Sequence, residues 1–323
     1  MEFFKYTRPY GFMGKSKLAI AFSILLVLTS YVLLATKGLS YGVDFAGGTI
    51  VQVKYDQKAP IDAMREQLKS DATFDGAAIT EFGSPEEVII RLKTTSQSVT
   101  TDIGDLTRDA LKGTGNYEIR RVDIVGPKVG GELREKGVTA MILAILGILV
   151  YVAFRFEWRF AVASIFALIH DVSIALGAIA LFGIDVNLDV LAALLTILGY
   201  SLNDTIIVFD RIREGINESK ETNLASVIDE SVTRTLSRTT LTSLTTFFVV
   251  LTLYVFGGEI INAFAFTLLV GVVVGTYSSI FVASPILMWF GFDIKGYRAK
   301  LAEKAKHAAE KERMRAQFEQ GTL

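Results

Sequence analysis

The chain has 323 residues, 51% of them hydrophobic, with a formal net charge of -1 and no cysteine. A charge balance this close to zero offers no general attraction to nucleic acid or acidic ligands, and no nucleic-acid partner is expected. The missing thiols exclude disulfides, metal–thiolate sites and cysteine nucleophiles.

The apolar residues are not spread as in a soluble domain. Six stretches nearly free of charge fall at 18–36, 138–154, 160–182, 190–209, 239–256 and 262–290. A hydrocarbon core about 30 Å thick needs roughly 20 apolar residues in a helix, so each reads as a transmembrane span. The second is the shortest, unless 133–137 extends its helix. The sixth is long enough to tilt, or to end in an interfacial segment near Trp289 and Phe290. The first follows Lys5, Arg8, Lys15 and Lys17, but its apolar core is long for a signal peptide and no small-x-small site follows it. It is read as a retained anchor.

Between the first two spans the period changes. "TIVQVKY" reads as a strand and "IDAMREQLKS", after Pro60, as a helix. "AAITEF" and "EVIIRLKT" read as a strand pair across Gly83, Ser84 and Pro85, "VTTDIGDLTRDALKG" as a second helix and "YEIRRVDIV" as a closing strand. The order βαββαβ is that of the ferredoxin-like fold. The expected organisation is therefore a cytoplasmic N-terminus and first span (1–36), an extracytoplasmic α+β domain (37–137), five further spans (138–290) and a cytoplasmic tail (291–323).

The basic residues orient this arrangement. With the N-terminus inside, the inner segments carry Arg155, Arg159, Arg211, Arg213, Lys220, Arg234 and Arg238, and the tail adds Lys295, Arg298, Lys300, Lys304, Lys306, Lys311, Arg313 and Arg315. The outer loops "GIDVNLD" and "GGEI" contain neither Lys nor Arg. Both termini are expected in the cytoplasm. The tail, rich in Ala, Glu, Lys and Arg, reads as a solvated helix.

Several soluble chemistries are not supported. "GFMGKS" at 11–16 lacks the spacing of a phosphate-binding loop and the strand before it. His170 and His307 lie far apart with no metal-ligand spacing, and no nucleophile-elbow pattern is present. No cofactor is expected.

The ionisable residues inside the spans say more. His170 and Asp171 fall in the middle of the third span; Asn203 and Asp204 lie in the cytoplasmic half of the fourth. Helical spacing puts Tyr200, Asn203 and Asp204 on one face, with Thr196 two turns earlier. A charge at such depth costs several kcal/mol, so such residues face the bundle interior and pair or relay protons. Arg238 opens the fifth span, is followed by hydroxyls, and belongs to the same half of the membrane as Asp204, which makes an Asp204–Arg238 pair sterically reasonable. For Asp171 the readings of proton carrier and of fixed helix-to-helix partner stay open. Asp210, Arg211 and Arg213 read as interfacial anchors. Gly271 and Gly275, four apart in the last span, allow a close helix approach, within the bundle or against a second membrane subunit.

Long stretches of this sequence resemble the SecF family of the bacterial SecDF protein-export complex, a branch of the RND superfamily. They are "GVDFAGGT" (42–49), "VGPKVGGELREKG" (125–137), "HD" (170–171), "GYSLNDTIIVFDRIRE" (199–214), "LSRTTLTSLTTF" (236–247) and "LYVFGGEIINAFAFTLLVGVVVGTYSSIFVASP" (253–285). Phe209 departs from the family pattern, where many relatives carry a smaller residue. The resemblance implies an α-helical polytopic membrane protein with an RND-type half bundle. It implies a translocation motor that has no hydrolytic chemistry of its own and uses the proton gradient at the bacterial inner membrane. Implied partners are SecD in a 1:1 complex, SecYEG, SecA, and YajC and YidC as further associates, with preprotein at the outer domain. The family's intramembrane charges fall on Asp204 and Arg238. A half-size RND exporter of small molecules or lipids, and a Sec scaffold without a cycle, are the competing readings.

A phosphatase reporter fused after residue 100 is expected to be active, and fusions at 220 or 323 inactive. The reverse result at residue 100 contradicts this topology.

Overall fold

The computed structural model describes residues 9–93, 103–219 and 221–319. Lys5, Arg8, Lys220, Gln320 and residues 99–102 of the second predicted soluble helix lie outside them. The long helices are α1 (Ser16–Thr36), α5 (Pro127–Arg155), α6 (Trp158–Phe182), α7 (Leu188–Glu218), α8 (Leu224–Phe256), α9 (Glu259–Ser278) and α11 (Ile294–Glu319). Short helices α2 (Val43–Ala46), α3 (Ile61–Lys69), α4 (Ile103–Ala110) and α10 (Ser284–Trp289) complete the helical set, and a π turn, Ser279–Ala283, joins α9 to α10.

Six helical segments are long and apolar enough to cross a membrane: Met13–Thr36, Pro127–Arg155, Trp158–Phe182, Leu188–Glu218, Leu224–Phe256 and Glu259–Trp289. Each coincides with a predicted span, but three run well past the apolar stretch. The second does begin before its apolar core, with Pro127 at the position where a missing N–H costs nothing. At the other end α7 and α8 continue as an amphipathic hairpin, and Asn223 caps α8 by accepting the Ala225 N–H at 3.0 Å. The apolar windows of α6 and α7 are 56% and 44% buried against 11–17% for α1, α5 and α8, so α6 and α7 form the centre.

The sixth span is not regular. Pro285 has no N–H, and its ring would meet the carbonyl one turn earlier. The backbone widens into the π turn just before it, and Ser284 Oγ donates to the Ser279 carbonyl at 3.0 Å. Such a turn weakens a helix locally and often marks a working site.

Close packing of α9 on α7 depends on glycine. A Cβ on Gly271 would lie 2.2 Å from Ile197 Cγ1, and one on Gly275 would lie 3.1 Å from Ser201 Cβ. The two glycines therefore serve contact within the bundle. Phe209 is fully buried with its ring 5.0 Å from that of Phe160, so its extra bulk fills the core.

The soluble segment forms a four-stranded antiparallel sheet from β1 (Gly48–Tyr55), β2 (Ala78–Phe82), β3 (Ser84–Lys93) and β4 (Tyr117–Val125), in the order β2-β3-β1-β4. This is the ferredoxin-like topology expected from βαββαβ. Alternation along β1 puts Val51, Val53 and Tyr55 on the buried face with Met64, Leu68, Val88, Ile90 and Leu111, leaving Gln52 and Lys54 outside. The predicted turn at 83–85 is tighter than expected, because β3 already starts at Ser84.

Two glycines fix the sheet to the bundle. Gly47 has φ of +81°, and a Cβ on Gly48 would lie 2.2 Å from the Leu92 carbonyl oxygen, so neither site accepts a side chain. Just before them, the chain is stitched to the α6–α7 loop. Val186 N–H donates to Ser40 O at 2.8 Å, Gly42 N–H to Val186 O at 3.1 Å, and Asp44 Oδ2 accepts the Leu188 N–H at 3.0 Å. Asp44 thus supplies a carboxylate to the N-terminus of α7, where the helix dipole favours it. Arg298 of α11 holds the other end of the same helix through the carbonyls of Ile216 and Ser219, each at 2.6 Å.

Gly271→Ala is expected to destabilise the folded chain by about 1–3 kcal/mol through overpacking on Ile197. Combining it with Ile197→Ala should recover part of that loss. Thermal unfolding in detergent checks both, and additive losses would contradict the contact.

Candidate functional site in the membrane helices

Two buried carboxylates sit at the centre of the bundle, and they differ in how well they are satisfied. Asp171 is 0% exposed and receives three donors. His170 Nδ1 bonds Oδ1 at 2.9 Å, while Ser201 Oγ and Ser278 Oγ donate to Oδ2 at 2.5 and 2.8 Å. These donors come from α6 itself, α7 and α9, so one carboxylate ties three helices together. With Nδ1 facing a carboxylate oxygen, its proton belongs on that nitrogen. The other ring nitrogen, Nε2, is buried with no partner among the described residues, and the ring stacks on Tyr277 with centroids 6.2 Å apart.

Asp204 is 1% exposed and has, among the described residues, one hydrogen bond, from Ser243 Oγ on α8 to Oδ2 at 3.2 Å. Its Oδ1 has no hydrogen-bond partner among the described residues, and neither do the buried hydroxyls of Thr239 and Tyr200. A carboxylate offers about four acceptor positions, so this group is far from saturated. Behind Ser243, Thr276 Oγ1 of α9 lies 2.7 Å from Ser243 Oγ and 2.7 Å from the Val272 carbonyl oxygen.

The direct Asp204–Arg238 pair expected from the sequence is not formed in this chain. Among the described residues the arginine–carboxylate pairs at this end are Arg155 and Arg213 with Asp210, Arg159 with Glu157, Arg211 with Glu214, and Arg234 with Glu230. Arg238 is exposed, on a side of α8 that also exposes Leu241, Leu244, Thr245 and Phe248. Asn203 is likewise exposed, in a stripe with Ala192, Thr196 and Gly199 along α7. The helical face predicted for Tyr200, Asn203 and Asp204 is therefore split: Asp204 turns into the bundle and Asn203 looks out of it. Asp210 behaves as an anchor, held by Arg155 and Arg213 at 3.0 Å each, with both guanidinium groups over the Phe156 ring.

Ser201, Ser243, Thr276 and Ser278 were not singled out by sequence. Hydroxyls are common in spans, and only the register of one helix on another shows which of them meet a carboxylate. The run of hydroxyls after Arg238 was the one available signal.

A bundle of six apolar helices with carboxylates at its centre and a ferredoxin-like domain after its first helix defines an α-helical polytopic membrane protein. Comparison with known proteins carries this to a family. Residues 106–293 match the C-terminal region of protein export membrane protein SecD/SecF, and residues 32–59 match the SecD/SecF GG motif. The protein translocase subunit SecF of Helicobacter pylori (strain ATCC 700392 / 26695) is 49% identical over 323 residues, 100% of both chains. That of Vibrio alginolyticus is 44% identical over 90% of this chain and 92% of its own, and that of Escherichia coli O157:H7 39% over 88% of each. The crystal structure of SecDF, a translocon-associated membrane protein from Thermus thermophilus, is 35% identical with a TM-score of 0.76. The match covers 89% of this chain and 39% of that one, so this chain spans about two-fifths of the solved SecDF chain. The chain belongs to the SecF family of protein translocase subunits.

Asp171→Asn should cost about 1–3 kcal/mol of stability, because an amide leaves one of the three converging donors without an acceptor. Ser278→Ala, which removes one donor and keeps the carboxylate bonded, should cost less. Melting temperatures of the purified variants check the order, and the reverse order contradicts the bracing role.

Proposed function

We propose that this chain is the SecF half of a proton-driven motor that promotes late steps of preprotein translocation. The observation that carries the proposal is Asp204: buried, yet with one carboxylate oxygen left without a hydrogen-bond partner among the described residues. A carboxylate in that setting is costly when charged, so gaining a proton and changing partners are coupled. Asp171, with three converging donors, is better suited to hold helices than to exchange protons. We therefore assign proton exchange to Asp204 and bracing to the His170–Asp171 pair.

The exposed stripe beside Asp204 supports a partner. Asn203 and Arg238 face outward from a bundle that offers only half of an RND-type set of helices. The 35% identity to part of a SecDF chain favours SecD, in a 1:1 complex, as the protein that covers this face. In this reading the complex covers Arg238, which the chain by itself leaves exposed. SecYEG, SecA, YajC and YidC follow from the family resemblance, as does preprotein at the ferredoxin-like domain. The Lys/Arg asymmetry supports an inner-membrane protein with both termini cytoplasmic and the sheet domain outside.

Moving one charge across 100 mV is worth about 2.3 kcal/mol, enough to reverse a modest preference between two helix arrangements. Asp204→Asn keeps the size and cannot ionise. It should insert and bind SecD normally and lose gradient-stimulated translocation into inverted vesicles at matched SecDF levels. Full gradient-dependent export in that variant would make Asp204 structural and leave the scaffold reading.

A further inference from the structure

Most hydroxyls of α8 return to their own helix. Thr235, Thr242, Thr245, Thr246 and Thr252 all donate to carbonyls three or four residues back. Such bonds are local and carry nothing between helices. Ser243 differs: its oxygen stands between Asp204 of α7, at 3.2 Å, and Thr276 of α9, at 2.7 Å. Thr276 in turn reaches the Val272 carbonyl at 2.7 Å.

Counting protons in this chain gives two consistent arrangements. With Asp204 ionised, Ser243 donates to the carboxylate and accepts from Thr276, whose one proton is then withdrawn from the Val272 carbonyl. With Asp204 protonated, the carboxyl donates to Ser243, Ser243 donates to Thr276, and Thr276 donates to Val272 O. The Asp204–Ser243 and Ser243–Thr276 bonds persist and reverse direction, whereas the Thr276–Val272 bond forms only when Asp204 is protonated. Each hydroxyl has one proton and can accept as well as donate, so every hydroxyl proton finds an acceptor in either state.

The end of this chain lies at a mechanically weak point. Thr276 is three residues before the π turn Ser279–Ala283, and Ser278, two residues on, is held by Asp171. One short stretch of α9 thus bonds Asp171 directly through Ser278 and reaches Asp204 through Ser243. We propose that the Ser243–Thr276 hydroxyl pair is a positioning relay that transmits the charge state of Asp204 to α9 beside its π turn. It rests on the proton-exchange reading of Asp204. The ionisable residues nearest it along each packed helix are Tyr200 on α7, Arg238 on α8, Tyr277 on α9 and the His170–Asp171 pair on α6. None of them stands in the hydroxyl chain.

The test uses the full chain reconstituted with SecD, and two readouts. Infrared difference spectra between acidic and alkaline buffer should show a carboxylic C=O band that Asp204→Asn removes. In Thr276→Val, which keeps the shape and loses the hydroxyl, that band should shift, because a protonated Asp204 no longer feeds a chain ending on Val272. Gradient-dependent export should fall roughly three- to tenfold in Thr276→Val and in Ser243→Ala, the scale of one net hydrogen bond. Thr276→Ser should restore both readouts. Thr267→Val, at a fully buried threonine on the same helix that donates only to Ala263 O, should change neither. An unshifted band and full export in Thr276→Val, with Asp204→Asn still defective, overturn the relay alone. If Asp204→Asn keeps the band and the gradient dependence, the proton-exchange reading falls and the relay with it.

Discussion

A carboxylate with an unpartnered oxygen in the middle of a helical bundle is the constraint around which this chain is arranged. Among the described residues Asp204 is held by a single serine at 3.2 Å, although it is as deeply buried as residues of the hydrophobic core. In hydrocarbon surroundings such a group has a strong preference for changing its state or finding a partner. Asp171, on the adjacent helix α6 and bonded by Ser201 of α7 itself, shows the alternative. Its oxygens are filled, and the three helices that fill them are fixed relative to one another. One saturated carboxylate and one unsaturated one give a bundle with a rigid point beside a responsive one.

The responsive point is connected to both ends of the molecule through α7. That helix carries Asp204, receives Asp44 from the glycine motif at one end, and is held by Arg298 of the tail helix at the other. The Asp44 contact lies four residues before the first strand of the ferredoxin-like domain, and the paired glycines between them allow the sheet to approach the bundle closely. The N-terminus of α7 and the base of the sheet domain are thus joined within a few residues of chain. The connection consists of hydrogen bonds and close steric contacts.

Much of this was legible in the sequence. Six apolar stretches appear as six spans, and the change of period between the first two gives the βαββαβ order that folds as a ferredoxin-like sheet. Those features depend on composition and period alone. Helix ends were read less well, because Leu188–Glu218 and Leu224–Phe256 keep their helical propensity after hydrophobicity stops. The buried carboxylates stood out because a charge in a span is rare. Their partners did not, since Ser201, Ser243, Thr276 and Ser278 are four hydroxyls among many. Which of them meets Asp171 or Asp204 is set by the α7–α9 register, which in turn depends on Gly271 and Gly275. The Asp204–Arg238 pair was inferred from depth in the membrane, and depth does not fix which side of a helix an arginine takes. The π turn had its cause in Pro285, but a proline near a helix end permits several outcomes.

The central claim is that one proton on Asp204 selects between two arrangements of the bundle and its sheet domain. The chain has no cysteine, so paired labels can be placed at will. Pulsed electron paramagnetic resonance between labels at Gln57→Cys, beside the sheet, and Glu259→Cys, at the start of α9, measures that arrangement in the reconstituted complex. The account predicts two distance populations whose ratio changes between acidic and alkaline buffer, and a ratio that Asp204→Asn holds fixed. A ratio that responds to pH equally in both proteins would contradict it.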